Sequence, residues 1–393
     1  MIDDGSRCLP DDGFAGTLIA RVWVPAERGP SVALVTADGV FDISRAFPTV
    51  ARLLDEADPA AAARAATRGT RLGTATELLA NSIAGKGDAS RPSLLAPVDL
   101  QAVKAAGVTF ASSLLERVVE EQARGDPARA ETTRRALVEE IGADLSAVKP
   151  GSEQAARLKE SLIKRGLWSQ YLEVGIGPDA EVFTKCPPMA SVGFGAEIGV
   201  HETSSWNNPE PEIVVAVNAR GALVGATLGN DVNLRDVEGR SALLLGKAKD
   251  NNGSCALGPF LRLCDPSFTI DDVRAADIDV TVEGEDGFKT GGRNSMRMIS
   301  RDVLDVVGQT IGGHHQYPDG FVLFMGTMFA PTDDRNAPGQ GFTHKIGDVV
   351  TIRSAKLGAL VNRVNHSHRI PPWTFGTRAL MENLAARRLL DRN

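Results

Sequence analysis

Two glutamates lie two residues apart in Glu210-Pro211-Glu212, where an apolar and largely β-branched run, Ile213 to Val217, begins. A strand repeats every two residues, so both carboxylates share one face. A turn at residues 218–221 leads into a second run, Leu223 to Leu228, which ends at Asn230-Asp231 and can bring a third carboxylate beside the first two. Three like charges against an apolar sheet repel one another and lose hydration unless a cation sits among them. An all-oxygen set suits a hard ion such as Mg²⁺, Mn²⁺ or Ca²⁺. The same residues also read as an exposed acidic edge that holds no metal. Lys249 follows in a run that passes into small and polar residues, and a lysine serves as a base near neutral pH only when its pKa is lowered. On residue type alone, Glu181 reads as a surface residue and Lys185 as a solvated strand end. The histidine pairs His314-His315 and His366/His368 have no accompanying carboxylate motif and do not suggest a transition-metal site. Neither a phosphate-cradling G-x-x-x-x-G-K-[ST] loop nor a dinucleotide fingerprint occurs.

The order Glu210-Pro211-Glu212, Gly229-Asn230-Asp231, Arg235-Asp236, Lys249 and Leu257-Gly258-Pro259 resembles the signature of the fumarylacetoacetate hydrolase family, over roughly residues 180 to 365. The resemblance implies that Glu210, Glu212 and Asp231 hold one divalent ion, usually Mg²⁺. Hydrolytic members carry N-Y-x-x-H-x-x-E, where a histidine and glutamate act on water. Here the corresponding residues are Phe110, Ser113 and Glu116, so the group that would titrate near neutral pH is missing. By contrast, Glu181-Val182-Phe183-Thr184-Lys185 and Ala248-Lys249-Asp250-Asn251-Asn252-Gly253-Ser254 are similar to segments of the family's 2-keto-3-deoxy sugar acid dehydratases. That branch implies dehydration of a 2-keto-3-deoxy-pentonate, a 2-oxo acid, to 2-oxoglutarate semialdehyde. Lys249 and Glu181 are then the proton-transfer residues. Arg235, Thr327 (in Gly326-Thr327), Asn252, Ser112 and Lys185 are candidate substrate contacts. An acylpyruvate-type C–C hydrolase and a non-catalytic ligand-binding protein of the same fold are the alternatives. The family further implies a homodimer or homotetramer.

These groups must be positioned by many short strands. After residue 178 the strands are bounded by Gly, Asn and Asp turns without regular βαβ alternation. The expected fold is therefore α+β: a mixed-β, rolled or barrel-like catalytic domain over 93–393, with a smaller N-terminal α+β domain and linker over 1–92. Residues 17–43 read as a small antiparallel meander, followed by two short helices near 50–55 and 60–66. Residues 85–92 have linker composition. A helical insertion is expected over about 114–167, with patches at 128–141 and 153–165, serving as a lid or as a packing or dimerisation appendage. Its start is marked by Ser112 or Ser113 as a cap, and Glu116, Arg117, Glu120 and Glu121 fall between its apolar positions.

The chain has 393 residues, enough for two domains, with 42% apolar residues and a formal charge of -7. This balance disfavours a nucleic-acid surface. The four cysteines, at 8, 186, 255 and 264, form no regular framework and are expected to be reduced thiols. An acidic, polar N-terminus and the lack of a long apolar run predict a cytoplasmic protein without a membrane segment.

Overall fold

The structure, a computed structural model, describes residues 5–124, 126, 129–130, 132–133, 148–164, 166 and 168–390. The chain opens with β1 (Leu18–Val24), β2 (Gly29–Thr36) and β3 (Gly39–Asp42) as the expected meander, then α1 (Val50–Leu54) and α2 (Pro59–Ala65). Both helices start on side-chain caps: Thr49 accepts from Arg52 N–H, and Asp58 accepts from Ala61 N–H ahead of a proline at the first helical position. There follow β4 (Arg71–Gly73), α3 (Ala75–Asn81), β5 (Ser93–Leu95), β6 (Ala102–Gly107) and α4 (Ala111–Ala123). Of the rest of the insertion, a helix spans Glu153–Lys164 and another Gln170–Ile176. The helical patch read at 128–141 lies mostly outside the described residues.

The chain then supplies β7 (Glu181–Cys186), β8 (Glu197–Val200), β9 (Asn207–Asn208), β10 (Pro211–Val217), β11 (Leu223–Asp231), β12 (Asn233–Leu234) and β13 (Cys255–Leu263). It continues with β14 (Asp277–Glu283), β15 (Lys289–Ser295), β16 (Phe321–Phe324), β17 (Val349–Ser354) and β18 (Gly358–His366). Eleven strands form one sheet in the order β4-β3-β2-β1-β13-β11-β10-β16-β6-β7, with β5 added beside β1. Apart from the parallel β16–β6 pair, its ladders are antiparallel. A second sheet runs β15-β14-β17-β18-β8.

β10 is buried along its whole length because it is covered on both faces. Ile213, Val215 and Val217 join the core shared with the five-stranded sheet, where Ile278, Val280 and Val282 of β14 also point. Val214 and Ala216 join the opposite core, under Leu53, Leu54 and Ala60 of α1 and α2. The result is a mixed α+β arrangement of small sheet, large sheet and helices.

One expectation changes. The large sheet is not a closed barrel: β4 and β7 end its path without pairing to each other. A three-residue strand at one end and a bulged strand at the other leave no matching ladders on which to close. The residues of linker-like composition, 85–92, lie between α3 and β5. β1 pairs with β13, and its alternating residues enter both cores, Ala20 and Val22 into one and Ile19 into the other. Of the N-terminal strands, β1, β2 and β3 thus lie inside the path of the large sheet and β4 at its end.

Candidate active site

The register of β10 against β11 sets the three carboxylates. Pro211 pairs with Asn230 and Glu212 with Gly229, and the same register continues into the short β9–β12 ladder, where Asn208 pairs with Asn233. Glu210 therefore sits opposite Asp231, whose N–H donates to the Glu210 carbonyl at 3.0 Å. Asn208, Glu210 and Glu212 share one face with Asp231 and Asn233. One ligand oxygen from each of Glu210, Glu212 and Asp231 lies within 4.8 Å of the others, and all three residues are buried. This rules out an exposed acidic edge.

The three carboxylates differ in their surroundings. Burial would raise the Glu210 pKa, but Arg117 and Lys249 outweigh it and hold the group at about 2. Burial raises the Glu212 pKa well above the usual carboxylate range, and Asp231 and Glu210 push it in the same direction. Among the described residues no lysine or arginine ion-pairs with Glu212. It accepts only from the Gly326 N–H at 2.7 Å and the Thr327 hydroxyl at 3.4 Å. Gly326 has φ of 102°, and a Cβ there would collide with the Thr109 hydroxyl, which itself donates to the Met325 carbonyl at 2.6 Å. The turn after β16 can thus approach Glu212 only through a glycine. An anionic Glu212 beside two other carboxylates is what a divalent cation would stabilise, so the donor set fits Mg²⁺ or a similar hard ion.

Two lysines reach the same carboxylates. Lys249, at the end of the helix Leu245–Lys249, bonds to Glu210 and lies 3.1 Å from Asp231 Oδ2. Burial would lower its pKa, but Asp231 and Glu210 more than reverse this. Lys185 lies 2.8 Å from Asp231 Oδ1 and also donates to the Lys249 carbonyl, to the Val232 carbonyl at 3.3 Å and to Ser254 Oγ at 3.3 Å. It is the extra residue of a bulge, because Thr184 pairs with Lys104 and Cys186 with Val103. The bulge turns a strand-end lysine, which reads as solvated from sequence, into the interior. Glu181 opens the same strand opposite Gly107, and a Cβ at Gly107 would collide with its carboxylate. Burial raises the Glu181 pKa against the pull of Arg117 and Lys249. Between Glu181 and Lys185, the Phe183 ring centroid lies 5.9 Å from Lys249 Nζ.

Sequence reasoning missed Arg117. Its guanidinium contacts Glu210 at 2.5 Å, Glu238 at 2.7 Å and Glu120 at 2.8 Å. Glu120 in turn holds Arg235 at 2.6 Å, and Glu116 holds it at 2.8 Å. The Arg235 guanidinium also stacks 4.4 Å over Trp206. Arg117 and Glu120 of α4 are both buried, Arg117 against Glu210 and Glu120 against the two arginines. Their spacing on the helix was visible, but which side faces the sheet was not. Arg235 orients this network rather than reaching the three carboxylates directly.

Ser113, in the position of the hydrolases' histidine, is buried. Its hydroxyl accepts from Phe110 N–H at 3.3 Å and donates to the Phe110 carbonyl at 2.9 Å, so it closes the first turn of α4. The Ser112 side chain lies outside the described residues. Asn252 is directed elsewhere, since its amide donates to the carbonyls of Ser367 at 3.2 Å and Pro371 at 3.3 Å and ties down the C-terminal segment.

The model of the fumarylacetoacetate hydrolase C-terminal family matches residues 155–365. A 2-dehydro-3-deoxy-D-arabinonate dehydratase of Saccharolobus solfataricus is 30% identical over 190 residues, 48% of this chain and 60% of that protein. The match therefore spans less than two thirds of that relative. A probable 2-keto-3-deoxyxylonate dehydratase of Haloferax volcanii is 31% identical over 215 residues, 54% of this chain and 68% of that protein. Among solved structures, a 2-keto-3-deoxy-D-arabinonate dehydratase complexed with magnesium and 2,5-dioxopentanoate superposes with a TM-score of 0.57. It is 20% identical and covers 89% of this chain and 99% of its own, so it supports the fold. The chain belongs to the fumarylacetoacetate hydrolase family. Within that family it is related to sugar acid dehydratases.

Proposed function

We propose that this protein is a divalent-metal-dependent hydro-lyase that converts a 2-keto-3-deoxy-pentonate to 2-oxoglutarate semialdehyde, which is 2,5-dioxopentanoate. The observation that carries the dehydratase reading over the hydrolytic one is Ser113: its hydroxyl closes on Phe110, where hydrolytic relatives place the histidine that works on water. The names of the two relatives support the same choice.

Glu210, Glu212 and Asp231 would hold the ion, which would supply Lewis acidity at the keto oxygen of a 2-oxo acid and so acidify C3. The reaction removes a proton from C3 and hydroxide, as water, from C4. A proton then passes from C5 to C3, and the resulting C4=C5 enol tautomerises to the aldehyde. Lys249 and Glu181 carry the proton transfers. We assign Lys249 to C3, because it adjoins the ligand carboxylates and gives up its proton more readily when these are shared with a cation. Glu181 fits the departing hydroxyl, because a buried carboxyl keeps a proton to donate. Thr327 and Lys185 orient the substrate carboxylate and the ligand set, and Arg235 fixes α4 above them. The buried carboxylates require α4 to shift for substrate entry, so α4 acts as the lid.

The test is formation of the semialdehyde from a panel of 2-keto-3-deoxy acids, with and without Mg²⁺. Mg²⁺-dependent product from a pentonate is expected. Ready cleavage of acylpyruvates with every 2-keto-3-deoxy-pentonate left intact would overturn the reading.

A further inference from the structure

We propose that Asn208 and Asn233 form the subsite that recognises the hydroxylated end of the substrate. This rests on the 2-oxo acid reading above and adds the residues that distinguish a sugar acid from a plain 2-oxo acid. The two asparagines are direct cross-strand partners in the β9–β12 ladder. They lie one strand period beyond Glu210 and Asp231 on the same face, about 7 Å along the strands. A five-carbon acid held at its carboxylate and keto oxygen by the carboxylate site extends over that distance to its far hydroxyl.

Their hydrogen-bonding groups are free to meet a ligand. Both are buried, with relative exposures of 1% for Asn208 and 0% for Asn233. Asn208 Nδ2 donates to the Pro209 carbonyl at 2.9 Å, which fixes the amide and leaves Oδ1 without a partner. Asn233 Oδ1 and Nδ2, like Asn208 Oδ1, have no partner among the described residues. Buried amide groups are normally satisfied, and leaving them unsatisfied is unfavourable. Two acceptors and one donor side by side complement a hydroxyl, which both gives and takes a hydrogen bond. Apolar side chains here would leave the ladder intact, so the amides serve something other than the sheet. The C4 hydroxyl leaves during the reaction, so the group they hold throughout is the oxygen at C5.

Calorimetry on the protein with saturating Mg²⁺ can test this with two acids that cannot lose a C4 hydroxyl, 5-hydroxy-2-oxopentanoate and 2-oxopentanoate. Wild type should bind the hydroxylated acid at least about tenfold more tightly, the value of a satisfied buried hydrogen bond. The nearly isosteric Asn208→Leu and Asn233→Leu should each bind the two acids within about threefold of one another, while keeping Mg²⁺ affinity. Without ligand, their Tm should match or exceed that of wild type, because an unsatisfied amide has been removed. Equal affinities in wild type, or a preference that survives both substitutions, overturn the subsite while leaving the 2-oxo acid reading in place. Binding of neither acid overturns both. Variants that fail to fold or melt well below wild type would show that the amides are structural, which also overturns the proposal.

Discussion

At the residue scale, Lys249 is a cation wedged between carboxylates, and its replacement separates chemistry from binding. Lys249→Met keeps much of the side-chain volume and removes the titrating nitrogen. We expect kcat for semialdehyde formation to fall about 10²- to 10⁴-fold, the usual contribution of a positioned acid or base, with a smaller change in KM. Full activity in the variant would remove Lys249 from the proton path. The carboxylate trio was legible from sequence because a period of two and a single turn fix its geometry. Lys185 was legible only through family resemblance, since nothing in Glu181-Val182-Phe183-Thr184-Lys185 shows that the bulge falls at position 185. Asn252 lies near Lys249 in sequence, and nothing in its polar segment shows that its amide is engaged by the C-terminal segment.

At the element scale, α4 meets the site through buried charge. Arg117 faces Glu120, Glu210 and Glu238, all buried. Removing one partner of such a network leaves the others unpaired out of water. Arg117→Leu should therefore cost about 3–5 kcal/mol in chemical denaturation, and amide exchange over 111–123 should speed up. A variant as stable as wild type would mean that α4 is held by its apolar side alone. A second element shows the pH side of burial. His344 packs beneath the turn before β17, with Nδ1 3.3 Å from Asp348 Oδ2. Burial lowers its pKa despite the pull of Asp348. The unfolded chain thus binds a proton that the folded protein resists. Stability is complete above the ordinary histidine value of 6.5 and is lost as pH falls below it. The slope from this group reaches at most about 1.4 kcal/mol per pH unit. Denaturation midpoints at a series of pH values should show this slope in wild type and a shallower one in His344→Gln. Identical slopes would remove His344 as the titrating group.

At the scale of the whole molecule, the site collects groups from elements far apart in the chain: Glu181 from an end strand of the large sheet, Glu210 and Asp231 from its interior, Lys249 from a short helix and Arg117 from the insertion. Alternation and turn residues made the strands readable, but they did not show that β1 would pair with β13 and draw the N-terminal strands into the catalytic sheet, because register between distant strands is not written in local pattern. A cation bound at the junction should stabilise the entire fold. Mg²⁺ at about 100 times its Kd contributes about 2.7 kcal/mol by mass action, a rise of several degrees in Tm for a chain of this size. Glu212 separates this effect from general packing. Its ionised form is disfavoured by burial and by Asp231 and Glu210, so Glu212→Gln should melt at or slightly above the metal-free wild-type temperature. The same change removes a ligand oxygen that carries charge, so the Mg²⁺-dependent rise should largely disappear. Thermal denaturation of both proteins in EDTA and across an Mg²⁺ titration checks this. An undiminished Mg²⁺ shift in Glu212→Gln would place the ion elsewhere, and a much less stable metal-free variant would mean that the carboxylate holds the Gly326 turn in place rather than awaiting a cation.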